Sequence, residues 1–206
     1  MPKILTDDQV AGYEKNGYVA PIPVMSAEDA LSYRHRFEEY ETAQGGWYEL
    51  SRGQKLYLLQ TWARDLVSHP KILDAVEDVL GPNLLAWGCS LFVKDAQDPG
   101  FVSWHQDATY WGLSKPDVVT AWIALSPATV ESGCMKVVPG SHKWAQMEHR
   151  DTLDKNNLLT RGQELAVDVN EDEAVYMPLN PGEISLHHVM MAHASTPNTT
   201  DDRRIG

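Results

Sequence analysis

The sequence is poor in cysteine and in basic residues, and it has no long apolar run. Only two cysteines, Cys89 and Cys134, occur in 206 residues. That is too few for a disulfide-built scaffold, and they are not spaced as a CxxC metal or redox pair. Each lies in an apolar, strand-like stretch. They read as two buried thiols in a reducing, cytoplasmic setting, with a single bridge between them as the alternative. Lys and Arg number 17 against 29 Asp and Glu, a formal net charge of −12. That balance repels nucleic acid and anionic lipid at long range, yet leaves room for a local basic pocket. No stretch approaches the roughly 20 apolar residues that cross a bilayer. The opening MPKILTDDQV lacks the basic-then-apolar order of a secretory signal. No nucleic-acid or membrane partner is expected, and the sequence carries no signal of oligomeric state.

What is present is ordinary for a globular protein: 43% hydrophobic and 22% charged residues. The length suits one domain spanning 1–206. Its helical part runs to about residue 82 and a strand-rich core follows from about residue 83. Thr6 and Gln9 form a capping box for a helix to about Lys15, stopped by Asn16-Gly17. Tyr18 to Ile22 reads as a strand. Ser26 and Asp29 open a second helix through about Thr42, with Leu31, Phe37 and Tyr40 as candidate buried positions. A third helix runs from His69 to Leu80, with Pro70 at its start and Gly81 at its end. Ile72, Leu73, Val76, Val79 and Leu80 are expected on its buried face. Beyond Gly81 the strand candidates are Leu84–Lys94, Val118–Leu125, Met135–Val138, Leu165–Val169, Ala174–Met177 and Ile184–Ala192. Turn formers such as Asp98-Pro99-Gly100 and Asn180-Pro181-Gly182 separate them. Many short strands punctuated this way predict a β-sandwich or jelly roll. The polar segment Ala145 to Gly162 reads as a loop or a short helix over its mouth.

The chemistry centres on Trp104-His105-Gln106-Asp107. In an extended strand, residues two apart point to the same side, so His105 and Asp107 can offer a nitrogen and an oxygen to one point. Two histidines and a carboxylate on one face of an iron(II) ion leave positions open for other ligands. Taken alone, H-x-D is weak and more often a surface or turn pair. Three later segments add to it: Ala121-Trp122-Ile123-Ala124-Leu125, Gly133 through His142 with its Pro-Gly-Ser-His turn, and His193-Ala194-Ser195-Thr196-Pro197-Asn198 followed by Asp201-Asp202-Arg203-Arg204.

With these segments the chain resembles the phytanoyl-CoA dioxygenase (PhyH-like) family of Fe(II)/2-oxoglutarate oxygenases. The likeness runs from about Leu5 onward and is strongest over Trp104–His142 and Gly182–Arg204. It implies a mainly β fold with N-terminal α-helices, a double-stranded β-helix or cupin-like jelly roll. It implies Fe(II), 2-oxoglutarate and O2 as cofactor and cosubstrates, and hydroxylation of a C–H bond in a small-molecule substrate with release of succinate and CO2. His105, Asp107 and His193 match the family's iron ligands. Arg204, eleven residues beyond His193, matches the arginine that binds the far carboxylate of 2-oxoglutarate. Ser195 matches a hydroxyl sharing that carboxylate, and Trp122 an aromatic beside the cosubstrate. Family members continue past this arginine, whereas the sequence stops at Gly206, so a shortened jelly roll is expected. Related halogenases replace the carboxylate by a small residue, so Asp107 favours hydroxylation.

The residue chemistry agrees with these roles. Pro197 to Asp202 is rich in turn formers, which lets the chain reverse after His193. A guanidinium meets a carboxylate with two parallel hydrogen bonds. Arg203 competes with Arg204, but on a strand the two face opposite ways, and the family spacing selects Arg204. Of His187 and His188, one is expected inside and the other in solvent. His142 reads as structural, and His35, His69 and His149 as surface residues. Gln106, Tyr110 and Trp111 flank the metal pair and are candidates for substrate contact, with Gln106 equally able to reach groups behind the ligands. The two aromatics serve equally well as packing at the mouth. The acidic balance weighs against a polyanionic CoA ester as substrate. Two other classes stand beside the oxygenase: an inactive jelly roll that holds a metal or ligand, and a cupin-type metal isomerase or lyase. Neither needs a carboxylate clamp at the position of Arg204.

Overall fold

Helix signals in the first third are realised locally. The computed structural model describes residues 1–46 and 55–206. Thr6 Oγ1 accepts from Gln9 N over 3.1 Å while Gln9 Oε1 accepts from Thr6 N over 2.8 Å, so helix α1 (Asp7–Asn16) begins where predicted. It ends at Gly17, whose φ is +83°; a Cβ there would also collide with the His142 ring. Strand β1 (Tyr18–Pro23) leads to α2 (Ala27–Ala43), capped by Ser26. Helix α3 (Thr61–Val67) was not foreseen, because no side chain caps its start. Helix α4 (Pro70–Leu80) has the predicted Pro start and Gly stop.

The buried stripes differ in detail from the prediction. On α2 they are Ala30 and Phe37, with Tyr33 and Tyr40 packed beside, whereas Leu31 is 45% exposed. On α4 the stripe is Ile72, Ala75, Val76 and Val79 at helical spacing, which puts Leu73 and Leu80 on its exposed flank. Each stripe includes a fully buried alanine, Ala30 and Ala75, which hydropathy reading ignores.

The strands form two sheets that face each other. One is β1, β9 (Glu183–His188) and β4 (Val119–Ile123), in the order β1-β9-β4. The other orders β3 (Val102–His105), β10 (His193–Ser195), β5 (Met135–Val137) and β8 (Val175–Tyr176) as β3-β10-β5-β8. Every pairing in both is antiparallel. The outer face of the first sheet packs on the helices through Val19, Ile22, Ile184 and Leu186 against Ile72 and Ala75. Its inner face meets the second sheet, where Tyr18 and Ala20 pack on Val137 and Met191. Two short pairs, β2 (Val93–Lys94) with β11 (Arg204–Ile205) and β6 (His149–Asp151) with β7 (Gln163–Leu165), complete the strand set among the described residues. This is a jelly-roll arrangement whose sheets do not close into one continuous barrel.

Several predicted strands shorten. Of Leu84–Lys94 only Val93–Lys94 is a strand, and Leu85 is 87% exposed. Cys89 makes a single bridge to Lys55 and is half-buried rather than buried, whereas Cys134 is buried and both thiols are free. Leu165–Val169 gives way to β7, which begins earlier and pairs with β6, so 145–162 holds a strand rather than a helix. Ile184–Ala192 divides: β9 ends at His188, and Val189, Met191 and Ala192 are buried in the turn before β10. Apolar residues in that turn carry the strand-like texture without the strand geometry.

Candidate metal centre

His105 and His193 are brought together by strand pairing. They are direct partners in the β3–β10 ladder, with ring centroids 4.0 Å apart. Asp107 reaches them by a different route from the one predicted. β3 ends at His105, and Asp107 has helical backbone angles (φ −58°, ψ −33°) ahead of a one-turn helix α5 (Ala108–Trp111). Tyr110 N donates to Asp107 O over 3.0 Å, and Ala108 N to Val189 O over 3.1 Å, fixing the bend. A turn, not strand alternation, therefore swings the carboxylate back toward His105.

The donor atoms are pre-set for a cation. His105 Nδ1 lies 2.9 Å from Ser103 O and His193 Nδ1 lies 3.0 Å from Met191 O. A carbonyl accepts only from N–H, so each ring carries its proton on Nδ1 and turns the Nε2 lone pair inward. Those Nε2 atoms lie 3.4 Å and 3.7 Å from the same oxygen, Asp107 Oδ1. Burial, helped by the neighbouring His105, pushes His193 down to about 3, so its ring is neutral near pH 7. Burial opposes charge on Asp107, yet the histidines around it, His193 foremost, hold its carboxyl well below the usual range. One donor atom from each of the three residues lies within 4.8 Å of the others. Three donor atoms gathered at one point suit a cation among them. Two imidazoles and one carboxylate on one side are the donor set for iron(II) with open positions.

Next to this cluster lies a basic pocket. Arg204 and Lys94 are opposite partners in the β2–β11 pair. Lys94 is 0% and Arg204 4% exposed. Lys94 Nζ donates to Ser195 Oγ over 2.8 Å and to Thr196 O. Arg204 donates weakly to Phe92 O at 3.4 Å, leaves Nε without a partner, and lies 5.4 Å from the Trp122 ring. Among the described residues no carboxylate forms a direct ion pair with either cation, and Asp98 acts on both only from a distance. Burial pushes Arg204 down to about 10, and burial together with the charge of Arg204 pushes Lys94 down to about 7. Two buried cations without a counter-ion are costly and call for an anion. Arg203, by contrast, points outward into Glu41 and Asp95. Lys94 escaped the sequence reading, although a lysine directly following the apolar run Leu91-Phe92-Val93 was the available signal.

The remaining candidates separate. Gln106 does not face the metal donors: it is fully buried, its amide donates to Met190 O and Ala145 O, and it accepts from Met147 N. It ties down the 145–149 segment and has no free group for a substrate, because it alternates with His105 to the opposite side. His149, expected at the surface, is half-buried and accepts from Gln106 N over 3.1 Å. Tyr110 has its ring 6.1 Å from His105 and its hydroxyl 3.3 Å from Gln163 Oε1. Trp111 packs on Trp87 at 6.5 Å and lines a cavity of about 240 Å³ with Leu113, Lys115 and Met190. His187 is buried inside, while His188 turns to His142. A larger cavity of about 610 Å³ touches none of the three metal donors. It lies by Trp104 and Lys136, which alternate with His105 and Val137 to the outer face, and Glu171 already pairs with both.

A jelly roll with a two-histidine, one-carboxylate cluster beside a buried basic pocket defines a non-haem metal protein of the facial-triad class. Within that class the chain belongs to the phytanoyl-CoA dioxygenase (PhyH) family, which it matches over residues 13–206. It is 32% identical over 146 residues to 1-deoxypentalenic acid 11-beta-hydroxylase of Streptomyces arenae, covering 67% of this chain and 51% of that protein. It is 32% identical over 181 residues to a probable alpha-ketoglutarate-dependent hypophosphite dioxygenase of Stutzerimonas stutzeri, covering 86% of this chain and 61% of the relative. The chain thus spans between half and two thirds of these relatives. Among solved structures, the apo form of the non-heme monooxygenase ThoJ superposes with a TM-score of 0.85 at 35% identity, covering 96% of this chain and 74% of that one.

Proposed function

We propose that the protein is an Fe(II)- and 2-oxoglutarate-dependent dioxygenase that hydroxylates a C–H bond of a small molecule. His105, Asp107 and His193 would hold the iron. Arg204, with Lys94 and Ser195, would hold the far carboxylate of 2-oxoglutarate, and Trp122 would wall the cosubstrate on the Arg204 side. The iron, when bound with 2-oxoglutarate and O2, supplies the oxidising power, with succinate and CO2 as by-products. The protein's share is orientation. The carbonyls of Ser103 and Met191 fix the tautomers, and β10 sets Ser195 two residues beyond His193, so metal donors and anion clamp share one strand.

The observation that carries this reading is the pair Lys94–Arg204, buried without a counter-ion beside the triad. A metal store or cupin-type isomerase has no use for an unpaired cation pair there; a dicarboxylate cosubstrate neutralises it. Tyr110, beside His105, and Trp111, in the cavity of about 240 Å³, would contact the substrate. The two relatives' names point to an organic acid and to hypophosphite, too unlike to carry a substrate over. The helical part and the sheets share one apolar cluster, which supports a single working domain over the chain. No helix among the described residues is long and apolar enough to cross a membrane. Two free cysteines fit a reducing cytoplasm.

An anaerobic titration with Fe(II) and 2-oxoglutarate tests the reading. A visible charge-transfer band from the chelated keto acid is expected, and it should vanish in His193→Ala. A wild-type protein that binds Fe(II) but never develops the band would sink the oxygenase assignment.

A further inference from the structure

The inner face of β4 and β9 carries two polar side chains that the metal donor set leaves without a role. Thr120 and His187 are direct partners across that ladder. Both face Asp107. Thr120 Oγ1 donates to Asp107 Oδ2 over 3.4 Å, and His187 Nε2 lies 3.8 Å from the same oxygen. The other carboxylate oxygen, Oδ1, is the one that His105 and His193 face. We propose that Thr120 and His187 are positioning residues that hold Oδ2 of Asp107, so that the carboxylate offers the metal one oxygen, Oδ1, and no more. The inference rests on the metal-centre reading above and adds to it the control of Asp107.

Three observations support the pair. His187 is 1% exposed, its Nδ1 has no partner, and its one ion-pair contact among the described residues is Asp107. An apolar side chain would fill that strand position without the cost of burying an imidazole. With the proton on Nε2 the ring turns its N–H toward Oδ2, at 3.8 Å an electrostatic contact longer than a hydrogen bond, and leaves only an acceptor unmet. Second, the two sheets meet here: Asp107 follows β3 in one sheet, while Thr120 and His187 belong to the other. Third, the functional demand is specific. A carboxylate free to rotate can present both oxygens and fill a position that the cosubstrate needs open. Partners behind metal ligands commonly set affinity in this way.

The test is a Co(II) titration of the metal-free protein followed by absorbance. The set comprises wild type, His187→Leu, Thr120→Val, the rescues His187→Gln and Thr120→Ser, and His187→Leu and Thr120→Val each placed in an Asp107→Ala background. His187→Leu and Thr120→Val should each weaken Co(II) binding about 10–100-fold. The rescues, which keep a donor toward Oδ2, should restore most of it. In the Asp107→Ala background neither change should alter the residual affinity, because the oxygen they hold is gone. Thermal unfolding of the metal-free proteins shows which variants fold; if His187→Leu does not, Thr120→Val, equal in shape to the native side chain, decides the matter. Wild-type affinity in both variants, or an equal loss without Asp107, overturns the positioning role while leaving the metal centre intact if His105→Ala still abolishes binding. Absence of Co(II) binding by the wild-type protein overturns the metal centre and this inference together.

Discussion

Lys94 and Arg204 stand directly opposite each other on β2 and β11, both buried and neither paired with a carboxylate. Burial and the Arg204 charge bring Lys94 from its usual 10.5 down to about 7. Below that value both cations are charged, and an anionic cosubstrate relieves their repulsion. Above it Lys94 is neutral and must take up a proton to bind. The dissociation constant for 2-oxoglutarate should therefore rise about tenfold per pH unit above pH 7. Lys94→Met should bind weakly and without this slope. For the metal-free protein the sign is opposite: the unfolded chain holds more protons on Lys94 than the folded one between about 7 and 10.5, so this group adds stability as pH rises through that window. Melting curves across pH should show the gain in wild type and lack it in Lys94→Met.

Asp107 is the one anionic donor of the cluster, and both histidine Nε2 atoms face its Oδ1. Asp107→Ala should lose iron affinity and with it succinate production. Melting of the metal-free variant should stay level or fall, because the histidines and Thr120 favour the charged carboxylate in the folded protein. Undiminished succinate release from Asp107→Ala would refute the ligand role.

The outline of fold and site was legible where one residue type has one physical use. Thr6 with Gln9 and Pro70 with Gly81 mark helix ends by capping chemistry, and they mark them in the structure. His105, Asp107 and His193 were legible as a metal donor set, and Arg203 and Arg204 point apart, although β11 begins only at Arg204. What failed were inferences that carried alternation too far. Asp107 lies past the end of β3, so its convergence with His105 depends on a bend no spacing rule announces. Gln106 was read as reaching either substrate or groups behind the ligands, and its amide is taken up by Ala145, Met147 and Met190. Lys94 was hidden because its partner Arg204 is remote in sequence and pairs with it only across β2 and β11. Leu84–Lys94 read as a strand, yet around Leu85 and Trp87 the chain has no ladder partner among the described residues and both are exposed.

Gln106 offers a clean separation of structural from substrate roles. Its amide satisfies Met147 N, Met190 O and Ala145 O around the segment that follows the Pro-Gly-Ser-His turn. Gln106→Ala leaves these groups unmet and should cost about 1–3 kcal/mol of stability. Turnover per folded molecule should fall mainly through kcat, as Asp107 loosens, with the KM for the organic substrate little changed. A selective rise in that KM at unchanged stability would return Gln106 to the substrate pocket.

The neighbours Arg203 and Arg204 should respond in opposite ways. Arg203 makes a two-pronged pair with Glu41 at 2.7 and 2.8 Å and reaches Asp95 at 2.8 Å, joining α2 to the β2–β11 pair. These groups are partly exposed, so Arg203→Met should cost about 1–2 kcal/mol, less at high salt, with cosubstrate affinity changed only a few-fold. Arg204 has no such partner and is buried with its Nε unmet. Arg204→Met removes an unpaired buried cation, so the metal-free protein should melt at the same temperature or higher, while 2-oxoglutarate binding falls by at least about 100-fold, the loss of a charge-assisted bidentate pair. Melting and cosubstrate titration on the two variants check both halves. If Arg203→Met loses cosubstrate binding and Arg204→Met keeps it, the clamp has been placed on the wrong arginine.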